Sequence, residues 1–522
     1  MAFLKLLLPL FLGTLVAAVS ARVGGRPRPG GVRLIDKVSD DVWHRTNGTK
    51  LPSPDTIYYF DQLIDHNDPG LGTFKQRYWF SYQYYEPGGP IVLMNPGESD
   101  ASSSVGYLDN QTISGYIADR FNGAVVLLEQ RFFGESNPYP DLSVESFRVH
   151  TLQQAIDDLE YFARNVSLPM PGGDQVSAPG RAPWILVGGS YSGALTSYTM
   201  YNKPGLFYAG YASSAVVQAI ADFWGYFEPI RLSMPKNCSA DVEAVIAFVD
   251  EVLTSGNASA IQALKENFGL GDLEQDDDFA AALYAPLQDW QDLQPTSGPG
   301  GRFYEFCDAL ELDGNSVAGP MGRGLPNALY AWGAYYQSTY IKSYCGGASV
   351  QDCFGTYDPA AARFTNTEVN DYGRSWEWLL CTEFGFWFDG APKDRPTLVS
   401  RTITPEWSER QCVNMFPEAF NRSAPVSFLN ALGVNMKYGG WNTTTERLIF
   451  VSGQRDPWRE ATVAAEGVSN TGSDMQPHLL GDGFHCSDMI MADGQVSPAI
   501  GAAQQKAIEY LGKWLADWKP SA

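Results

Sequence analysis

Histidine is scarce in this chain: 522 residues contain five, at positions 44, 66, 150, 478 and 485. Chemistry that needs an imidazole base therefore has few candidates. No H-E-x-x-H or C-x-x-C pair and no cluster of histidines occurs. That excludes the common zinc frameworks, and no metal or other cofactor is expected. Basic residues are also few, 36 Lys and Arg against 59 Asp and Glu, for a net charge of −23. Such a surface repels phosphate backbones and anionic bilayers, so nucleic acid and membrane surfaces are not expected partners. Long apolar runs are missing apart from Leu6–Val16, which is too short to span a bilayer comfortably.

What is present points to export. Met1–Ala21 reads as a secretory signal, with Lys5, the apolar run, and small residues Val19-Ser20-Ala21 before a cleavage point. Residues 22–50, at first rich in Arg, Gly and Pro, read as a leader or propeptide. Seven N-x-S/T sequons, at Asn47, Asn110, Asn165, Asn237, Asn257, Asn421 and Asn442, agree with that route. Seven cysteines in an oxidising compartment imply three bridges and one leftover. Sequence leaves connectivity open; pairing nearest neighbours joins Cys238 to Cys307, Cys345 to Cys353 and Cys381 to Cys412, and leaves Cys486 free. The expected location is extracellular, with vacuole or lysosome as alternatives. Near the sequence pI of about 4.6 self-repulsion falls, which suits an acidic medium as well as simple solubility.

The stretch Trp184-Ile185-Leu186-Val187-Gly188-Gly189-Ser190-Tyr191-Ser192-Gly193 organises the rest. An apolar run stops at two glycines and a serine, then small residues and helix formers follow. This reads as a strand, a sharp turn and a helix start, close to the G-x-S-x-G nucleophile elbow but with Ser192 at its last position. Before it, Thr73–Phe80, Ile91–Met94 and Ala124–Leu128 read as strands, the last two continuous enough for the middle of a covered sheet. Thr151–Arg164 reads as an amphipathic helix with a Thr151/Gln154 capping box. The alternation predicts an α/β sheet with right-handed crossovers. Beyond residue 216 strand alternation disappears, and it returns at Arg447–Gly453. The expected organisation is an α/β-hydrolase core in two parts, 51–215 and 441–522, around a mainly helical cap at 216–440.

A serine hydroxyl needs a base, and the base an orienting carboxylate. On such a sheet they follow in the order Ser, acid, His, at the C-terminal ends of strands. Only His478 and His485 follow Ser190. His478 sits inside an apolar strand pattern, whereas His485 lies in a Gly-flanked loop beyond it. Asp456 ends the preceding strand; Asp482 and Asp488 flank His485 as rival acids, and Asp474 lies nearby. The expected triad is Ser190, Asp456 and His485, with Ser192 as rival nucleophile and Cys486 as a buried thiol. The Tyr191 amide would be one oxyanion donor and Gly97, in the Asn95–Glu98 loop, a second.

Gly188-Gly189-Ser190-Tyr191-x-Gly193, Asp456-Pro457-Trp458 and His485-x-x-Asp488 resemble the serine peptidases that include lysosomal Pro-Xaa carboxypeptidase, dipeptidyl peptidase II and fungal secreted prolyl endopeptidases. Phe60-x-Gln62-x-Ile64-Asp65-His66, Glu129-x-Arg131-Phe132-Phe133-Gly134-x-Ser136 and Trp376-x-Trp378-x-x-Cys381-Thr382-Glu383 extend the resemblance to about residues 56–519. It implies the same core, cap and triad, and cleavage after proline in peptides or proteins. Ser192 and Leu379 depart from the carboxypeptidase pattern toward the prolyl endopeptidase branch, which implies an endopeptidase with an acid optimum. A carboxypeptidase or dipeptidyl peptidase is the near alternative; an esterase, lipase or inactive binding protein is the distant one. Aromatic faces suit a proline ring, which has no amide donor to satisfy, so Trp458, Trp376 and Trp378 are pocket candidates. Glu98 and Glu383 suit a substrate terminus or an internal pair. Sequence leaves monomer or homodimer open.

Overall fold

The apolar runs become one eight-stranded sheet: β1 (Tyr58–Leu63), β2 (Thr73–Ser81), β3 (Ile91–Asn95), β4 (Ala124–Leu128), β5 (Trp184–Gly189), β6 (Ala209–Ser213), β7 (Leu448–Gly453) and β8 (His478–Gly481). Their order across the sheet is β1-β2-β4-β3-β5-β6-β7-β8. β2 runs antiparallel to β1 and β4; every later pairing is parallel. The computed structural model describes Trp43, Arg45 and residues 48–520, except 177, 315, 370 and 421–426. The expected signal, most of the leader, and sequons Asn47 and Asn421 lie outside the described residues.

Every residue of β3 to β7 is buried, because both faces of the sheet are covered. Ile91, Leu93, Val126 and Leu186 face one core. Val92, Met94, Val125, Leu127, Ile185 and Val187 face the other, under helices Ile113–Phe121 and Pro498–Asp517. Strand alternation sends neighbours to opposite sides, so a doubly covered strand needs apolar residues at every position.

Helix Leu152–Asn165 forms as expected, and Thr151 Oγ1 accepts from the Gln154 amide at 3.2 Å. The capping box is only half made. Gln154 Nε2 donates to Asp65 Oδ1 and its Oε1 accepts from the His66 amide, so its side chain ties the helix to the loop after β1.

Between β6 and β7 the chain is mainly helical, with Lys236–Thr254 its longest helix. All three disulfides lie there, Cys238–Cys307, Cys345–Cys353 and Cys381–Cys412, matching the nearest-neighbour pairing. Two short strand pairs were not expected: Ile220–Asp222 runs parallel to Gly385–Trp387, and Leu312–Asp313 antiparallel to Ser316–Val317. The architecture is an α/β-hydrolase core with a helical insertion.

Candidate active site

Ser190 sits between β5 and helix Tyr191–Asn202 at φ 59° and ψ −126°, a conformation an L-residue holds only under constraint. Two glycines make the turn possible. A Cβ on Gly188 would lie 2.1 Å from the Ser192 carbonyl oxygen, and one on Gly193 would lie 2.6 Å from that of Ser213. The Ser190 amide donates to the Ser213 carbonyl at 2.9 Å. Ser192 Oγ accepts from the Gly189 amide at 3.0 Å and donates to the Gly189 carbonyl at 2.8 Å. That pair closes the turn, which explains how serine replaces glycine here and engages the rival hydroxyl. Tyr191 is the first helical residue, so its amide has no carbonyl one turn back and stands at the positive end of the helix.

The acid and base loops leave neighbouring strands. Past β7 and β8 the ladder continues: the Gln454 amide donates to the Gly481 carbonyl and the Arg455 amide to that of Gly483, both at 2.9 Å. Asp456 Oδ1 then accepts from His485 Nδ1 and from the Trp458 amide, each at 2.9 Å. Both side chains are buried. The Cys486 amide donates to Ser214 Oγ at 3.0 Å. Consecutive residues at the end of β6, Ser213 and Ser214, therefore hold the nucleophile turn and the base loop. Cys486 itself is free and buried.

Burial alone would lower the His485 pKa. Asp456, with Cys486 beside it, overrides that and holds the imidazole well above its ordinary value. Asp488 turns the other way: its oxygens accept from Tyr211 and Ser213 hydroxyls, both at 2.7 Å. Burial still pushes Asp488 up to about 6. Asp482 is exposed and pairs with Arg455 at 3.1 Å. The remaining described histidines are engaged elsewhere: His66 with Asp158, His150 with the Ser375 carbonyl, and His478 edge-on to Phe450.

Aromatic rings link the elbow to the acid loop. Tyr191 packs on Phe384, Phe384 stacks on Phe386, and Phe386 meets Trp458 edge-on, at centroid distances of 5.7, 5.4 and 5.2 Å. Trp458 also touches Phe223, Tyr226 and Phe388, and lies 6.3 Å from the His485 ring. Trp376 meets Tyr191 edge-on at 5.4 Å. Trp378 does not join this wall. Two steps along helix Tyr372–Leu379 turn a side chain by about 200°, so Trp378 faces Phe147 and Phe416 and donates to the His150 carbonyl at 3.0 Å. The Gly97 amide, expected as an oxyanion donor, donates to Asn95 Oδ1 at 2.9 Å. Its positive φ of 81° accounts for the glycine. Glu98 is fully buried. Glu383 Oε1 accepts from the Leu152 amide at 3.2 Å, an internal pairing.

Sequence reasoning missed Trp290, Gln291 and Gln294 of the cap, which hydrogen-bond to the acid and base loops. No motif marks these residues. Of the described sequons, Asn165, Asn257 and Asn442 are exposed, and Asn110 and Asn237 are half-buried.

Residues 62–507 match the family described as Serine carboxypeptidase S28. The chain belongs to that family. As an S28 member it is a serine peptidase. Similar proteins include serine protease vicPa of Bipolaris victoriae (strain FI3), 36% identical over 479 residues and covering 88% of each chain. A "Probable extracellular serine carboxypeptidase" of Arthroderma benhamiae is 32% identical, over 78% of this chain and 58% of that one. Thymus-specific serine protease of Homo sapiens is 27% identical, over 88% of this chain and 86% of that one.

Proposed function

We propose that this S28 peptidase is secreted and cuts peptide bonds on the carboxyl side of proline, as an endopeptidase, through an acyl-enzyme on Ser190. The observation that carries the reading is the shared oxygen of Asp456, which accepts from both His485 Nδ1 and the amide of Trp458. Acid, base and the aromatic face beside them thus form one hydrogen-bonded unit. Ser190 Oγ attacks the carbonyl carbon of proline while His485 Nε2 takes its proton. Asp456 fixes the tautomer and stabilises the imidazolium, and the Tyr191 amide donates to the oxyanion. His485 then protonates the leaving amine, and water releases the acyl group by the reverse path. A proline ring brings no amide donor, so an aromatic face such as that of Trp458, backed by Phe386 and Phe388, leaves no polar group unpaired around it.

Secretion is supported by three disulfides and by an extracellular relative. An acid optimum is opposed by the direction at His485, since an imidazole held protonated accepts no proton from serine. The test uses two peptides across pH 4 to 8, one with internal proline and both ends blocked, one with proline before a free C-terminal residue. Cutting of the blocked peptide after proline supports the endopeptidase. Cutting of only the free-ended one makes the protein a carboxypeptidase. Cutting of neither, or full turnover by Ser190→Ala, overturns the reading. A wild-type protein that ignores a fluorophosphonate probe would be an inactive member of the fold.

A further inference from the structure

We infer that a single cap segment, residues 285–294, positions both the base and the proposed proline wall, with Gln294 and Gln291 as the positioning residues. This rests on the roles proposed above for Ser190, His485 and Trp458. The segment is the 3-10 helix Ala285–Asp292 and the two residues after it. Three of its side chains reach into the core. Trp290 Nε1 donates to the Arg455 carbonyl at 2.8 Å, one residue before Asp456. Gln291 Oε1 accepts from Trp458 Nε1 at 2.7 Å and from Tyr226 Oη at 3.1 Å. Gln294 Nε2 donates to the His485 carbonyl at 3.3 Å, and its Oε1 accepts from Ser487 Oγ at 2.6 Å. Trp290 also packs edge-on against Phe484, the residue before His485, at 5.1 Å.

All three side chains are buried. The Gln291 oxygen has two lone pairs and receives two donors, one from the acid loop and one from the cap. Its place is therefore fixed by both, and it fixes the tilt of two rings in the aromatic wall. An apolar residue of the same length would leave an indole N–H and a phenol O–H buried without that acceptor. Gln294 acts on the other loop: it holds the backbone of the base itself and the serine two residues on. Cap and core consequently share no slack at the place where the base and wall meet. A cap that serves only as a cover needs neither contact.

The decisive readouts separate positioning from mere attachment. Gln291→Leu is expected to lower kcat/KM for a proline substrate by about tenfold, the scale of one lost buried acceptor. It should shrink the preference for proline over alanine at that position and leave the fluorophosphonate labelling rate near wild type. Gln291→Glu keeps an acceptor oxygen and should restore the preference. Gln294→Leu is expected to lower both kcat and labelling rate by about 10- to 100-fold with KM little changed, as displacement of a reacting group does. Rates are expressed per labelled site, so a poorly folding variant still reports. Unchanged kcat, KM and proline preference in both leucine variants, with only a lower Tm, would overturn the inference. So would Gln291→Glu behaving like Gln291→Leu. Failure of the underlying reading looks different: the wild-type protein would then show no proline preference, or Ser190→Ala would turn over.

Discussion

Replacing Asp456 by Asn keeps the shape of the acid loop and removes its charge. Asp456 Oδ1 accepts from His485 Nδ1 and from the Trp458 amide, while Oδ2 is buried with no hydrogen-bond partner among the described residues. The amide has two ways to sit. If its oxygen keeps both donors, the NH2 group occupies the Oδ2 site and is buried unsatisfied, at a cost of about 1–3 kcal/mol. If it flips, a donor faces Nδ1 and selects the wrong tautomer. Either way the imidazolium formed in the reaction loses its partner. Two charges about 4 Å apart at an effective dielectric of about 20 attract by about 4 kcal/mol, or roughly 10³ in rate; the same change in other triads costs about 10⁴. We expect kcat/KM on an internal-proline peptide to fall by a factor between these two. The acid limb of the pH profile should also move down, because the carboxylate that raised His485 is gone. Stopped-flow labelling with a fluorophosphonate gives the same information without peptide binding. A variant that keeps more than about a tenth of wild-type kcat/KM, or an unmoved acid limb, would refute the assignment of Asp456.

In the wild-type protein, kcat/KM should rise with pH through a limb above about 6.5, the ordinary histidine value, because His485 is raised and only its neutral form is a base; a maximum near pH 4 in a buffered pH series would count against this. Ser192→Ala should keep most of the turnover and lose about 1 kcal/mol in denaturant unfolding, since Ser192 Oγ closes the turn and the proposed nucleophile is Ser190; a dead Ser192→Ala beside an active Ser190→Ala would exchange their roles. Replacing Cys238 and Cys307 by Ala opens a separation of 69 residues and should cost about 4 kcal/mol, against about 2.5 kcal/mol for Cys345 and Cys353 with a separation of 8; thermal unfolding that ranks the pairs the other way would refute the loop argument. Burial, with Asp222 beside it, pushes Asp389 up to about 10. The fold keeps a proton there that the unfolded chain releases above about 4, so this group's contribution falls as pH rises toward neutral. Asp389→Asn should therefore raise Tm at pH 7 and flatten its dependence on pH, and a lower Tm at pH 7 would oppose it.

The sheet and the elbow were legible because their constraints are local. Ile91–Met94 and Ala124–Leu128 are apolar at every position, and only a doubly covered strand asks for that. Gly188 and Gly193 mark backbone approaches that no Cβ survives. The few histidines made His485 the candidate base. What stayed hidden depends on distant partners. Trp376 and Trp378 look alike in sequence, and only the rotation of their helix separates the elbow side from the His150 side. Gly97 sits in a suitable loop, but Asn95 takes its amide. The Ile220–Asp222 and Gly385–Trp387 pair is three residues long on each side and joins segments far apart in the chain. The role of Gln291 rests on Tyr226 and Trp458, neither of them near it in sequence.

The charge pattern pulls fold and chemistry toward different pH. The net charge of −23 and the high pKa of Asp389 both weaken the folded chain as pH rises, the first by self-repulsion and the second by proton release on unfolding. His485 demands the opposite, since each step to lower pH removes the neutral base. Asp389 lies two residues beyond a strand pair whose own Phe386 and flanking Phe223 and Phe388 pack on Trp458. Rate and stability measured across the same pH series should accordingly peak apart, stability on the acid side and kcat/KM above it. The two curves bound the working range between them.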